Sequence, residues 1–77
     1  MSIEERVNRV LVDGVGLEPK EIIPGASMKD DLGVDSTEMV EVVVALEKEF
    51  GVKIPDGVIT GASRVSDIVS YFSKGIQ

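Results

Sequence analysis

Cysteine, histidine and tryptophan are all missing from this chain of 77 residues. Without cysteine there is no disulfide framework. Without either cysteine or histidine there is no Cys/His zinc site, no thiol nucleophile and no histidine-based triad. Aromatic residues are few, one Tyr and two Phe, so Val, Ile, Leu and Met must fill the core. Basic residues are also scarce: 8 Lys and Arg stand against 14 Asp and Glu, a net charge of −6. Nucleic acid and anionic membrane both require a Lys/Arg surplus, so neither is an expected partner, whereas a basic protein surface is. No apolar run approaches the ~20 residues of a membrane-spanning helix, and stable membrane insertion is not expected. The opening Met1-Ser2-Ile3-Glu4-Glu5-Arg6 lacks the basic head and apolar stretch of a secretory signal, which predicts a cytoplasmic protein.

The length suits one domain, residues 1–77, acting as a monomer. A domain of this size buries only about 60% of the surface its unfolded chain exposes, so its stability margin is thin, and self-repulsion of the acids narrows it further. Ser2 with Glu5 three residues later forms a capping box, and Ile3, Val7, Val10 and Leu11 then recur at helical spacing up to Gly14, predicting a helix over 3–14. Residues 15–34 form a long connection holding Pro19, Pro24, Gly25 and Gly33, with Leu17, Ile22, Ile23, Met28 and Leu32 as anchors to a core. The next segment, 36–50, contains Val42-Val43-Val44, which favours strand by propensity, but its length and acid spacing favour helix. On a wheel Met39, Val43, Leu46 and Phe50 share one face with Val42 on its flank, and Gly51 ends the pattern. Residues 56–61 are expected to make one short helical turn, and Ser63 to cap a last helix that turns Val65, Ile68, Val69 and Phe72 inward. The expected fold is all-α: a small antiparallel bundle of three principal helices, one short helix and a long loop between the first two.

The start of the second helix carries the chemistry. Asp35 and Glu38 have the spacing of a cap pair. If Asp35 caps, Ser36 is the first residue inside the helix, its hydroxyl has no local duty, and it stands at the electropositive end where a phosphate is favoured. The alternative is that Ser36 is itself the cap and nothing more. A second apolar stripe, Thr37, Val40 and Val44, lies about a quarter-turn or more from the core face, flanked by Glu41 and Glu47. It docks another protein or lines a ligand cavity, or else it is ordinary core in a helix packed on two sides. Glu41, Glu47 and Glu49 lie too far along the helix to serve its dipole. They form a solvated face or a surface read by Lys and Arg of a partner.

Asp30, Asp31 and Asp35 do not follow the calcium-loop pattern, so no specific metal site is expected. With no histidine to act as base for Ser36, the chain reads as non-catalytic.

Asp30-Asp31-Leu32-Gly33-Val34-Asp35-Ser36, an acidic helix ending Ala45-Leu46-Glu47-Lys48-Glu49-Phe50-Gly51, and Ile54-Pro55-Asp56 together resemble an acyl carrier protein, and the resemblance covers essentially the whole chain. It implies that Ser36 is the attachment point of 4′-phosphopantetheine, installed by a phosphopantetheinyl transferase that uses coenzyme A. The thiol of that cofactor would hold acyl groups as thioesters, so a chain without cysteine borrows one. The resemblance further implies recognition by basic surfaces of the transferase and of acyl synthases, reductases and transferases, through Asp35, Thr37, Glu38, Val40, Glu41, Val44, Glu47 and Asp56. The acyl cargo would withdraw among Val43, Leu46, Ile54, Ile59, Ile68 and Val69. The family usually has Leu after the modified serine, where Thr37 stands here, and commonly an acid at the position of Lys48. These departures point towards a specialised lipid or polyketide pathway as much as towards fatty acid biosynthesis. An aminoacyl or peptidyl carrier and an unmodified acidic helical adaptor are the alternatives.

Overall fold

The computed structural model describes residues 2–75 and contains three α-helices, α1 (Ile3–Val15), α2 (Ser36–Phe50) and α3 (Val65–Gly75). Each begins where the sequence supplies a partner for free amides. At α1 the Ser2 hydroxyl accepts from Glu5 N–H at 3.1 Å, while Ser2 N–H donates to Glu5 Oε1 at 2.9 Å. Both α1 and α2 end at a glycine in the left-handed region, Gly16 at φ 73° and Gly51 at φ 67°, where a side chain would be strained. The Val42-Val43-Val44 run is helical, because burying Val42 beside Met39 and Leu46 outweighs the strand preference of three β-branched residues.

The core lies where α1 packs against both α2 and α3. Val7, Leu11, Met28, Leu46, Ile68 and Phe72 are its fully enclosed members. Phe50 and Phe72 stack at 4.0 Å between ring centroids. Arg6 lies 4.3 Å over the Phe50 ring and pairs with Glu49 at 2.8 Å, tying the start of α1 to the end of α2.

The long connection is packed and stitched. Pro19–Glu21 make a 3₁₀ turn, and Ala26, Ser27 and Met28 are buried. An antiparallel bridge joins Ser27 to Arg64. Met28 N–H donates to Ser63 O at 3.0 Å, Val65 N–H to Ala26 O at 3.0 Å, and Lys29 N–H to Gly61 O at 2.9 Å. The loop preceding α2 is thus sewn to the segment preceding α3, which fixes where α2 begins.

Several expectations need correction. The short helix expected at 56–61 is absent. That stretch holds only turns and bends, with Val58 N–H to Pro55 O at 3.3 Å, and the short helical element is the 3₁₀ turn at Pro19 instead. Ser63 does not cap α3. Its hydroxyl accepts from Thr60 N–H at 3.0 Å, and the Asp67 carboxylate takes the Arg64 N–H at 2.9 Å. On α2, Val42 is fully buried whereas Val43 and Phe50 are half-buried, so the core face is rotated towards Val42. Ile23, expected to anchor the loop, is exposed. α1 runs one residue beyond the expected end.

Candidate functional site

Asp35 is the cap of α2. Its carboxylate accepts Glu38 N–H at 2.8 Å, and its own N–H donates to Glu38 Oε1 at 3.1 Å. The reciprocal pair completes the cap, so Ser36 is not needed for it. Ser36 is exposed, and among the described residues its hydroxyl makes no hydrogen bond. It opens a 15-residue helix, so unpaired amides and the dipole place positive potential around it. A hydroxyl in that position suits a phosphoester.

Ser36 lies on the wall of a depression of about 290 Å³, shared with Lys29, Val34, Met39, Thr60 and Gly61. Met39, one turn along the same face, also lines a larger groove of about 350 Å³ with Val40, Val43, Val44, Ile54 and Ile59. Met39 therefore stands between two hollows, one beginning at the serine and the other mostly aliphatic. The residues present fit a phosphate-linked arm: a free hydroxyl at a helix start, beside a hollow with an apolar extension.

The second apolar stripe of α2 is not core. Thr37, Val40 and Val44 are all exposed, Val40 at 63% of its surface and Val44 at 42%. Glu41 is exposed and has no partner among the described residues. Asp56 is exposed on the rim of the larger groove. Glu47 also lines that groove, but its Oε2 accepts Ile54 N–H at 2.8 Å, so it helps hold the segment that follows α2. Of the residues proposed for an acyl pocket, Val43, Ile54 and Ile59 line the groove. Leu46 and Ile68 are enclosed in the core, and Val69 is half-buried against it.

The roles of Met39, Lys29, Thr60 and Gly61 were not foreseen. The Ser36–Met39 spacing of three residues was a usable signal for Met39. Lys29 and the Thr60–Gly61 pair reach the site only through the stitched loops, which leave no periodic trace. Among the described residues no group of three or more carboxylates is placed to hold a metal ion, and no helix is long and apolar enough to cross a membrane.

Comparison with known proteins supplies the family. Residues 5–72 match the family model described as a phosphopantetheine attachment site. The chain is 43% identical over 70 residues to the acyl carrier protein of Zymomonas mobilis, covering 91% of this chain and 90% of that protein. It is 43% identical over 75 residues to the acyl carrier protein of Rhodopseudomonas palustris, covering 97% and 95%. It is also 43% identical over 72 residues to acyl carrier protein AcpP of Rhizobium meliloti, covering 94% and 92%. The chain belongs to the acyl carrier protein family, whose members carry acyl groups on 4′-phosphopantetheine.

Proposed function

We propose, with that membership as the premise, that Ser36 is the residue bearing 4′-phosphopantetheine. On this reading residues 1–77 act as one non-catalytic carrier domain of fatty acid biosynthesis or a related specialised lipid or polyketide pathway. The observation that carries the reading is the free, exposed hydroxyl of Ser36, released from capping by the Asp35–Glu38 pair. When bound, the cofactor supplies a thiol that holds an acyl group as a thioester, a group this cysteine-free chain does not have.

The chain's own residues position and present. Asp35 orients the first turn of α2 and offers a carboxylate to a basic transferase surface. Glu38, Glu41, Glu47 and Asp56 extend that acidic surface. Thr37, Val40 and Val44 give it an apolar centre for docking acyl synthases, reductases and transferases. The groove lined by Val43, Ile54 and Ile59 is where an acyl chain would be shielded from water. Attachment requires the Ser36 Oγ–phosphorus bond to form as the pyrophosphate linkage of coenzyme A breaks. The nucleotide bisphosphate leaves, and the hydroxyl proton passes to a base on the transferase. The working site is the cytoplasm, and the carrier acts as a monomer.

The test is intact mass after co-expression with a phosphopantetheinyl transferase. The expected result is a gain of one phosphopantetheine, abolished by Ser36→Ala. No gain with several transferases would leave an unmodified acidic adaptor, and amino-acid adducts on material from its native host would indicate an aminoacyl or peptidyl carrier.

A further inference from the structure

Lys29 stands in the long loop and Ser36 opens α2, and the two wall the same depression of about 290 Å³. The backbone of Lys29 is held from both sides. Its N–H donates to Gly61 O at 2.9 Å, and its carbonyl accepts Gly33 N–H at 3.2 Å. Its aliphatic stem runs close to Gly61, where an added Cβ would stand 3.1 Å from Lys29 Cβ. Glycine at 61 therefore leaves the space that the lysine stem uses.

The ammonium group itself has no ion pair among the described residues, although the chain is acidic and Asp30, Asp31 and Asp35 are near in sequence. Two of those carboxylates are engaged elsewhere: Asp31 accepts from Ser27 N–H at 2.8 Å and Asp35 from Glu38 N–H at 2.8 Å. Lys29 is thus a tethered cation, without a protein anion, on the wall of the hollow that contains the serine.

We propose that Lys29 is a positioning residue for the phosphodiester on Ser36, drawing the first part of the arm into the depression between Lys29–Val34 and Thr60–Gly61. This rests on Ser36 being the attachment site. A phosphodiester there adds a negative charge beside Asp35 and Glu38, and Lys29 is the cation in the same hollow that offsets it. The apolar part of the arm then meets Val34 and Met39, and Met39 leads on to the larger groove.

The test compares fully loaded wild type with Lys29→Met, which keeps the stem and removes the charge, and with Lys29→Arg, which keeps the charge. Intact mass first establishes loading, and failure of wild type to load would overturn both this proposal and its premise. In loaded protein the readouts are the phosphorus resonance of the diester and nuclear Overhauser contacts from the arm's methyl groups to Val34 and Thr60. Lys29→Met should weaken those contacts by about two- to fivefold, the range an exposed ion pair allows. It should also move the phosphorus resonance towards that of the free arm. High salt should do the same to wild type, while Lys29→Arg should resemble wild type. The unloaded Lys29→Met protein should melt as wild type does. Identical contacts and phosphorus shifts in all three loaded proteins would overturn the proposal. So would loss of the contacts only alongside a lowered melting temperature of the unloaded variant, since that outcome assigns Lys29 a structural role.

Discussion

Glu47 Oε2 accepts the backbone N–H of Ile54 at 2.8 Å, across the turn that closes α2. The bond spans Gly51, whose left-handed conformation reverses the chain, and it aligns Ile54 to enter the core as a buried residue. An acid of α2 therefore holds one wall of the groove. Glu47→Ala should lower unfolding stability by about 1 kcal/mol by removing the acceptor of a partly buried amide, while Glu47→Gln retains an acceptor and should lose less than half of that. Urea denaturation of the three proteins checks this. Equal losses would mean that charge, and not the hydrogen bond, is what Glu47 contributes.

The Asp35–Glu38 pair predicts a coupled effect on stability and modification. Asp35→Ala removes the cap and should cost about 1 kcal/mol, whereas Asp35→Asn restores an acceptor and should recover most of it. In Asp35→Ala the Ser36 hydroxyl becomes the nearest side-chain acceptor for the exposed amides at the start of α2. Modification by a transferase should then slow in that variant more than its stability loss explains. Parallel melting curves and time courses of mass gain separate the two effects. A variant destabilised as expected but modified at the wild-type rate would show that the serine does not turn inward to replace the cap.

Asp31 gives a pH dependence. The Ser27 backbone N–H at 2.8 Å and the Ser27 hydroxyl at 3.2 Å stabilise its charged form, so its pKa lies below the ordinary aspartate value of 3.8. The folded value is the depressed one. The stabilisation is therefore present above the unfolded value and is lost as pH falls through the folded one. Acidification also relieves self-repulsion in a chain of net charge −6, an opposing trend. The informative quantity is thus the difference between wild type and Asp31→Asn. Wild type should be the more stable at pH 6, and its advantage should shrink as pH falls below about 4. Denaturation at several pH values reads it, and a constant difference would contradict the assignment.

The helices were legible because local chemistry and global packing agree at their ends. Ser2 and Glu5 open α1, Asp35 and Glu38 open α2, and Gly51 closes it. The errors fall where contacts are long-range. Ser63 looked like a cap, but the Ser27–Arg64 bridge moves the start of α3 past it, and Asp67 serves the Arg64 amide. Ile23 looked like an anchor because it is apolar, whereas Ala26 and Met28 take the buried positions once the loop is stitched to Ser63 and Val65. Spacing marked Ser36 and the acids of α2 as candidates but left each with a plainer alternative, a cap or a solvated face, and the family resemblance chose between them. The hollow beside the serine could not, since half of its wall comes from residues 29 and 60–61, brought together only by backbone bonds across the fold.

Core and groove are built from the same aliphatic residues, and α2 separates them by rotation. Leu46 is enclosed on every side, whereas Val43 keeps part of its surface in the groove. Leu46→Ala should cost about 2–5 kcal/mol, a large share of the stability of any small domain. Val43→Phe projects its added volume into open space and should change the stability of the unloaded protein by less than about 1.5 kcal/mol. Its effect should emerge with cargo. In wild type a medium-length acyl chain that enters the groove binds only the folded state and raises the melting temperature above that of the thiol form. Val43→Phe occupies the same space and should abolish most of that rise, while a two-carbon acyl group, which brings little apolar surface to bury, should behave alike in both proteins. Melting temperatures of thiol, short-acyl and medium-acyl forms of each protein decide the matter. An undiminished rise in Val43→Phe would place the chain outside this groove.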